Sequence, residues 1–395
     1  MPSSQTSSPS AGAPGVLLVV PWDQTHGGVN TIVRNLGSAL REGGREPLFL
    51  FPGPSVASRE GLSRLGFSAV YMNLRPPLVA RRPLVSTVGF AATAPAVLWQ
   101  LARLVRRYRI DVINVHYPEP SAAILVALRQ LTGARLVTSV HGSDLTGLAH
   151  DSRERGMTAF LLRHSDAIVA PSSAYGGYVQ REFPEVGGRI VAVTNGVDAD
   201  AIERMATDPS VAPPSAARAG TPYFVCVAAF NPKKAHDTLL RAFAKVPPPY
   251  RLLLAGEGPL RRDVERLAAE LGIEDRVVLL GEQPHAVVAK LLAGAVSSVL
   301  PSRDEPFGIA AVESMVVGTP VVVTSVGGLA EIVEHDRTGL VVPVDDPDAL
   351  GAALTRIAGD AELRARLGSA ARAAARARYD RREWAQRYLE VLRGA

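Results

Sequence analysis

Two carboxylates, Glu305 and Glu313, stand on either side of a short aromatic and glycine segment. The apolar run at 298–301 predicts a strand, and Phe307-Gly308-Ile309 predict the first turn of a helix. Unpaired N–H groups and the dipole at a helix N-terminus attract phosphate. Glu313 follows Glu305 by eight positions, which at helical geometry is a rise of about 12 Å and a rotation of about 80°. We therefore expect one acid to bind a sugar, the other a ribose, and the amides between them a diphosphate.

Two adjacent lysines, Lys233 and Lys234, follow an apolar run at 223–228 that predicts another strand. Ammonium groups at a strand's end can neutralise phosphate. Asp198 and Asp200 have the spacing of a carboxylate metal motif, but they lie in a predicted hinge turn rather than beside a nucleotide pocket. The sequence has no His and Cys cluster of the kind that binds metal. We predict a site without metal, in which lysines and helix N-termini meet the phosphate charge.

The first half of the chain places polar residues after its own predicted strands. Gly28 precedes a predicted helix after the first strand, which lets backbone approach a ligand and donate amide hydrogen bonds. His141 ends a strand and precedes a glycine, a position that suits a polar contact inside a cleft. The candidates for contacts to an acceptor are His26, His116, Tyr117 and Glu119.

Strands and helices alternate along both halves of the chain. Such short apolar strands spaced by helices predict parallel sheets covered on both faces. Ligands of these sheets bind at the carboxyl edges of the strands, so we expect one cleft between two domains that closes by a hinge. The predicted strands are 16–21, 47–52, 111–116, 134–141, 166–171 and 189–193, then 223–228, 251–256, 276–281, 298–301, 320–323 and 339–343.

The length and composition of the chain limit the classes of protein to which it can belong. A chain of 395 residues exceeds one ordinary core, so two domains are expected. With 47% hydrophobic and 21% charged residues, the balance is that of a soluble globular protein. The single cysteine, Cys226, lies in an apolar run and predicts a buried strand residue in a reducing compartment. No secretory signal is visible, and we expect a cytoplasmic protein.

Positive charge is concentrated in one part of the sequence. Between Gly61 and Ile110 there are eight arginines and no Asp or Glu. This bias favours an anionic membrane surface or lipid phosphate over nucleic acid, for which no motif is present, with a solvated basic face as the alternative. Residues 83–102 are uncharged, and we interpret them as a loop leading into a packed amphipathic helix at 94–108. We expect peripheral docking on the inner face of the cell membrane rather than spanning.

The two acids and the segment between them resemble the E-x7-E signature of the family 4 retaining glycosyltransferases, which have the GT-B fold. The resemblance extends from Gly15 to the C-terminus. It implies an α/β protein of two Rossmann-like, doubly wound parallel-sheet domains facing a central cleft. The expected parts are a disordered tail at 1–14, an acceptor domain at 15–200, a linker at 201–222, a nucleotide-sugar domain at 223–375 and a final helix at 376–395 that crosses back, anchored by Trp384 and Tyr388.

The resemblance also implies an activity and a set of roles. The donor would be a UDP- or GDP-sugar and the acceptor a hydroxyl of a glycan or lipid-linked glycan, as in polysaccharide or glycolipid synthesis, with anomeric configuration retained. Glu313 would bind the ribose, Glu305 the sugar ring, and His141 the sugar. The donor phosphates would meet Gly28, Lys233, Lys234 and the amides of Phe307, Gly308 and Ile309.

One segment departs from the family pattern Gly-Arg-x4-Lys-Gly. Lys234 matches the lysine, but Ala229 stands at the arginine position and Ala235 at the second glycine. An arginine grips a diphosphate with two parallel hydrogen bonds, and Lys233 replaces it only as a point charge. Two alternatives therefore stay open: a nucleotide-sugar-binding partner subunit with little or no activity, and another GT-B chemistry such as epimerisation or phosphorolysis.

Overall fold

A computed structural model describes residues 15–21, 28–53, 66–76, 83–146, 152–218 and 220–394. They form two compact units, one within Met1–Thr194 and Arg382–Ala395 and the other within Asn195–Arg381. Each unit is built around one parallel β-sheet.

The sheet of the N-terminal unit runs β3-β2-β1-β4-β5-β6-β7 in space. Its order reverses between β1 and β4, which is where open α/β sheets bind ligands. The continuous apolar sequence of β1 is typical of a strand buried on both faces. The strands are β1 (Gly15–Val19), β2 (Pro47–Pro52), β3 (Ser68–Met72), β4 (Ile110–His116), β5 (Arg135–Ser139), β6 (Ala167–Ala170) and β7 (Ile190–Ala192).

Helices cover this sheet through their apolar faces. Leu101 and Val105 of the second helix join a buried cluster with Leu17 of β1 and Ile113 of β4. The helices are α1 (Gly28–Glu42), α2 (Pro83–Arg107), α3 (Ile124–Thr132), α4 (Ser143–Thr146), α5 (Ser152–His164) and α6 (Ser173–Glu182).

The sheet of the C-terminal unit runs β10-β9-β8-β11-β12-β13 and reverses between β8 and β11. Cys226 lies on β8 and is fully buried, as the sequence predicts. All six strands predicted for this half are confirmed. They are β8 (Tyr223–Val227), β9 (Arg251–Ala255), β10 (Val277–Gly281), β11 (Ser297–Leu300), β12 (Val321–Thr324) and β13 (Gly339–Val342).

Aspartates begin three helices of the C-terminal unit. The side chains of Asp198, Asp346 and Asp360 accept backbone N–H groups of the first helical turns, which satisfies donors that a helix leaves unpaired. The helices are α7 (Ala199–Thr207), α8 (Ser215–Arg218), α9 (His236–Phe243), α10 (Arg261–Glu270), α11 (His285–Gly294), α12 (Ile309–Val316), α13 (Leu329–Ile332), α14 (Pro347–Gly359) and α15 (Ala361–Arg378), with α16 (Arg381–Arg393) returning to the N-terminal unit.

The division of the chain differs from the predicted linker at 201–222. Helix α7 occupies the start of that segment, and its Ile202 is buried with Val312 and Met315 of α12. The helix forms because Asp198 caps it and its apolar residues recur on one face. The boundary between the units therefore falls at Thr194 and Asn195.

Two further elements correct the sequence interpretation. Helix α2 begins at Pro83, so the predicted loop before residue 94 is helical. Thr93 stabilises this stretch by donating its hydroxyl to the carbonyl of Gly89 at 2.8 Å, and Pro95 is accommodated inside the helix. Strand β3 was not predicted, because it is a short edge strand of partly exposed residues.

A buried polar network fixes α16 to the N-terminal sheet. The hydroxyl of Tyr388 donates to Asn114 Oδ1 at 3.2 Å and contacts the hydroxyl of Ser139. Asn114 Nδ2 in turn donates to Ser139 Oγ at 2.9 Å. Each of the three polar groups has a partner, and Trp384 is buried beside them against Tyr388.

We predict that Tyr388→Phe weakens the N-terminal unit by about 1–3 kcal/mol, since it leaves the buried Oδ1 of Asn114 without its donor and removes the contact to the Ser139 hydroxyl. Hydrogen exchange followed by mass spectrometry should show faster exchange in β4, β5 and α16. Tyr250→Phe is the matched control, because that hydroxyl donates to Ala358 O at 2.7 Å in the other unit and should affect only peptides of that unit. Equal exchange in β4 for both variants would contradict the prediction.

Candidate functional site

An ion pair lies where the C-terminal sheet reverses. Lys234 follows β8, Glu305 follows β11, and these two strands are neighbours in the sheet. Lys234 Nζ lies 2.6 Å from Glu305 Oε2, and the side chains are 22% and 13% exposed. Ser302 Oγ also donates to Glu305 Oε2, at 3.4 Å. The fold thus brings together two residues that sequence reasoning placed in one site without predicting their contact.

The loop that carries the lysines is pinned to the loop that carries Glu305. Asn231 Oδ1 accepts the N–H of Lys233 at 3.1 Å and caps a short turn at Pro232–Lys234. The N–H of Arg303 donates to Lys233 O at 2.7 Å. The Arg303 guanidinium also donates to Pro232 O at 2.9 Å, Asp237 Oδ2 at 2.8 Å and Asp345 Oδ1 at 2.7 Å. Sequence reasoning missed Arg303, because a lone arginine in a loop has no distinctive spacing.

Ala235 adopts the left-handed backbone conformation, with φ 47° and ψ 45°. This geometry explains why the resembled family has glycine at the position, since glycine alone enters the region without a steric cost. A side chain there costs about 1–2 kcal/mol. The turn after Lys234 is therefore held in place by its surroundings, which include the buried ring of His236 packed edge-on against Phe230.

Glycines let neighbouring loops pack backbone against backbone around the ion pair. A Cβ at Gly256 would overlap the carbonyl of Ala228, and one at Gly327 would overlap the carbonyl of Glu305. Gly328 donates its N–H to Glu305 O at 2.9 Å. These close approaches fit a scaffold role for both glycine segments.

Helix α12 begins beside Glu305. Gly308 precedes it with φ 112° and ψ 53°, a left-handed conformation in which a Cβ would clash with Leu329. The ring of Phe307 is buried and packs edge-on against Tyr379 at 5.9 Å. Phe307 therefore serves as a core residue through its side chain, while its backbone leads into the helix. By helical geometry the first N–H groups of α12, at Ile309 and beyond, have no intrahelical acceptor.

Glu313 lies on α12 and is nearly buried. Its Oε1 accepts a hydrogen bond from His285 Nε2 at 2.8 Å. His285 is the first residue of α11, at the end of the loop after β10. Sequence reasoning missed it, because it lies four residues beyond the end of its strand and, unlike His141, does not precede a glycine. Lys233 pairs instead with Asp304, at 3.1 Å and nearer the surface.

The N-terminal unit has a pair of histidines where β4 and β5 end. His116 Nδ1 lies 3.1 Å from His141 Nε2, and the two rings stack with centroids 5.3 Å apart. His116 is buried between His141 and the ring of Tyr388. It lies behind His141 instead of at the surface, which corrects its predicted position among acceptor contacts.

Burial keeps both imidazoles neutral. It lowers the pKa of His116, with a further contribution from His141, and it lowers the pKa of His141 to about 4. His116 Nε2 has no partner among the described residues. A buried bare acceptor costs less than a buried unpaired N–H, which indicates that His116 carries its proton on Nδ1 and donates it to His141 Nε2. His141 then carries its own proton on Nδ1.

Asp144 fixes the turn that holds His141. Its carboxylate accepts the N–H of His141 at 2.9 Å and the N–H of Gly142 at 2.6 Å. Burial raises the pKa of the Asp144 carboxyl group to about 6, although these two hydrogen bonds act to lower it. The Tyr175 hydroxyl donates to Gly142 O at 2.8 Å. The role of Asp144 was not predicted, because a carboxylate two residues after glycine is common in ordinary turns.

The other predicted positions are less closely connected to these groups. Tyr117 follows β4 in a left-handed conformation, with φ 67°. Burial, with Glu154 nearby, raises the pKa of Glu119. Gly28 is the first residue of α1, and His26 lies outside the described residues.

The candidate carboxylate motif has a structural role. Asp198 caps α7, and Asp200 Oδ1 accepts from Arg376 Nη2 at 2.7 Å. In the part of the chain that the structure describes, no group of three or more His, Cys, Asp or Glu residues is arranged to hold a metal ion.

Two family models match the sequence. Glycosyltransferase Family 4 matches residues 26–201, and Glycosyl transferases group 1 matches residues 210–374. N-acetyl-alpha-D-glucosaminyl L-malate synthase of Bacillus anthracis is 27% identical over 88% of this chain and 88% of its own length.

Solved structures have the same fold. Sucrose-phosphate synthase from Thermosynechococcus elongatus superposes with a TM-score of 0.78 at 24% identity, over 97% of this chain and 99% of that chain. Anabaena Alr3699/HepE in complex with UDP superposes with a TM-score of 0.78 at 19% identity, over 96% and 100% of the two chains. The fold predicted from the sequence, GT-B with two Rossmann-like sheets, is confirmed.

The histidine pair predicts how the N-terminal unit responds to acid. An unfolded histidine titrates near 6.5 and folded His141 near 4, so between these values the unfolded chain binds more protons. The contribution of the histidines to stability should be complete above about pH 6.5 and fall as the pH drops toward 4. Imidazole ¹⁵N NMR should show His141 neutral at pH 5.5 with its proton on Nδ1, where ordinary histidines are charged. The His141→Gln variant assigns the signal, and titration of His141 near 6.5 would refute the assignment.

Proposed function

This chain belongs to the family 4 glycosyltransferases, and we propose that it moves a sugar from a nucleoside diphosphate sugar to an acceptor hydroxyl with retention of configuration. The observation that supports this most is the Lys234 and Glu305 ion pair beside the N-terminus of α12, at the reversal point of a parallel sheet. One location thus offers a cation, a carboxylate and helical amides. A donor with phosphate next to a sugar requires the same three groups.

In this proposal the donor phosphates bind to Lys234 and to the backbone amides of Phe307, Gly308 and Ile309. The Lys234 ammonium has three N–H donors, of which Glu305 occupies one direction, so it can bridge the carboxylate and a diphosphate. Lys233 contributes from a more exposed position, where it already pairs with Asp304. The α12 dipole adds favourable charge at the same point.

The two acids take separate parts of the donor. Glu313 accepts hydrogen bonds from ribose hydroxyls, since a carboxylate has about four acceptor sites and His285 occupies one of them. His285 fixes the orientation of that carboxylate. Glu305 accepts from hydroxyls of the transferred sugar, and its orientation is fixed by Lys234 and Ser302.

The reaction requires charge stabilisation more than a dedicated base. The bond between the anomeric carbon and the diphosphate oxygen breaks, the acceptor oxygen bonds to that carbon on the same face, and the acceptor's proton passes to the leaving phosphate. Negative charge grows on the diphosphate, where Lys234 and the α12 amides stabilise it. His141, neutral and carrying a proton on Nδ1, contributes a donor toward a sugar hydroxyl. Gly28 offers backbone to the donor, and Tyr117, Glu119 and His26 are candidates for acceptor contacts.

We propose a UDP- or GDP-sugar as donor and a reaction without a resident metal, in a cytoplasmic setting. The acceptor we propose is a glycan or lipid-linked glycan in polysaccharide or glycolipid synthesis. Alr3699/HepE, with which this chain shares its fold, binds UDP.

Ala229, which stands at the arginine position of the family pattern, is the residue that favours the alternative of a partner subunit without activity. Arg303 does not restore the missing clamp in our proposal, because its guanidinium is engaged by Asp237 and Asp345. A weaker grip on phosphate then slows turnover without abolishing it. Donor binding without product across a wide range of acceptors would favour the partner subunit instead.

Replacement of the central cation should reduce catalysis. We expect Lys234→Met to lower kcat/KM about 100-fold, which corresponds to the loss of one charge-assisted contact of about 3 kcal/mol. Lys233→Met is the matched control and should cost less than about fivefold, since its pair is more exposed. Mass spectrometry of products from a panel of UDP- and GDP-sugars gives the rates. Equal rates in the two variants would remove Lys234 from the site.

Loss of the carboxylate that we propose binds the ribose should weaken nucleotide binding instead of lowering the turnover rate. We expect Glu313→Ala to raise the Kd for UDP or GDP about 30-fold, from a lost hydrogen bond to a charged group of about 2 kcal/mol. Calorimetry measures the Kd, and Glu270→Ala on the exposed face of α10 serves as control. Unchanged nucleotide affinity in Glu313→Ala would end this assignment.

A further inference from the structure

Helix α2 presents an apolar stripe to solvent. Val88 is 68% exposed and Trp99 is 63% exposed, and the exposed residues Ala92 and Pro95 lie between them. Their spacing of four, three and four positions puts them on one line along a helix. From Val88 to Trp99 the stripe is about 16 Å long at helical rise. Large apolar side chains aligned in this way indicate a contact surface, whereas single exposed ones do not.

The opposite face of α2 is part of the core. Leu101 and Val105 are buried, and Phe90, Ala94 and Val97 pack beside them against the sheet. Ser86–Arg107 is long and apolar enough to cross a membrane by length and composition, and most of its residues are not fully buried. Because the inner face of α2 packs against the sheet, this helix is better placed to lie along a membrane surface than to cross a bilayer.

Positive charge lies at the C-terminal end of the stripe. Arg103 and Arg106 continue the same line, and the Arg103 guanidinium lies 5.6 Å from the centre of the Trp99 ring. No Asp or Glu occurs between Gly61 and Ile110 to offset them. Tryptophan and arginine are the side chains that concentrate where membrane and water meet.

We propose that the exposed face of α2 is a docking surface for an anionic lipid membrane, with Val88 and Trp99 inserted among the headgroups and Arg103 and Arg106 against lipid phosphates. A second copy of this chain fits less well. A twofold interface joins two copies of the same patch, so it would gather the arginines of both copies in one interface with no Asp or Glu of α2 to offset them. A soluble phosphate ligand would account for the arginines but not for the apolar stripe.

Docking does not depend on the proposed transferase reaction, because lipid binding requires neither donor nor acceptor. It would keep the N-terminal sheet close to acceptors that carry a lipid anchor. Failure of the lipid test would therefore leave the proposed function standing, and loss of transfer activity would leave the docking surface standing.

The test is flotation of the full chain with vesicles of phosphatidylcholine, with and without phosphatidylglycerol. We expect binding to the anionic vesicles at low salt, reduced at least about tenfold at high salt because exposed charges are screened. Trp99→Glu and Val88→Glu should each reduce binding about tenfold or more, and Arg103→Gln about fivefold.

Leu131→Glu is the matched control, since Leu131 is 64% exposed on α3 of the same unit but lies outside the stripe. It should bind vesicles as the unchanged chain does. Circular dichroism and the Kd for UDP or GDP check that every variant is folded. Equal flotation of Trp99→Glu and Leu131→Glu, or no flotation of the unchanged chain, overturns the proposal. Concentration-dependent dimers that Trp99→Glu abolishes would identify the stripe as a homodimer interface and overturn it as well.

Discussion

The contact between Lys234 and Glu305 is the interaction around which the C-terminal unit is organised. Ion pairs of this kind add little to stability, because the cost of removing both charges from water offsets most of their attraction. What such an ion pair contributes is a fixed position for its two charged groups. The sheet reverses direction between β8 and β11, so the loops that follow these strands diverge to opposite faces and leave a crevice at their start. A cation held there by a carboxylate is kept at the edge where open α/β sheets in general bind ligands.

The loops around this pair are fixed before any ligand arrives. Arg303 connects the lysine loop to α9 and to the loop after β13, and Asn231 caps the turn itself. A preorganised site avoids the reorganisation that a flexible loop would have to undergo when charge develops. The strained conformation of Ala235 agrees with this view, since such a backbone persists only where its surroundings determine it.

Much of the fold could be predicted from the sequence, and the reasons are physical. The strands of the C-terminal sheet are short apolar runs between turn residues, so each was found, and Glu305 and Glu313 stood out by their spacing around Gly308. Contacts such as Lys234 with Glu305, or His116 with His141, depend on which strands are neighbours, and no local pattern encodes that order. His285 and Arg303 act alone from loops and helix ends. The start of α2 was missed because its serine, threonine, glycine and proline residues favour a loop until Thr93 bonds to the preceding turn.

The glycines that press against the site loops have a consequence for how this protein can diversify. At Gly256 and Gly327 even a methyl group would collide with main-chain atoms of Ala228 and Glu305, so a side chain at either position would force the site loops apart. Ala229, by contrast, is exposed on the same loop and tolerates longer side chains. Side chains can therefore vary at outward-facing positions such as Ala229, whereas the main-chain frame beneath them leaves no room for a side chain at Gly256 or Gly327.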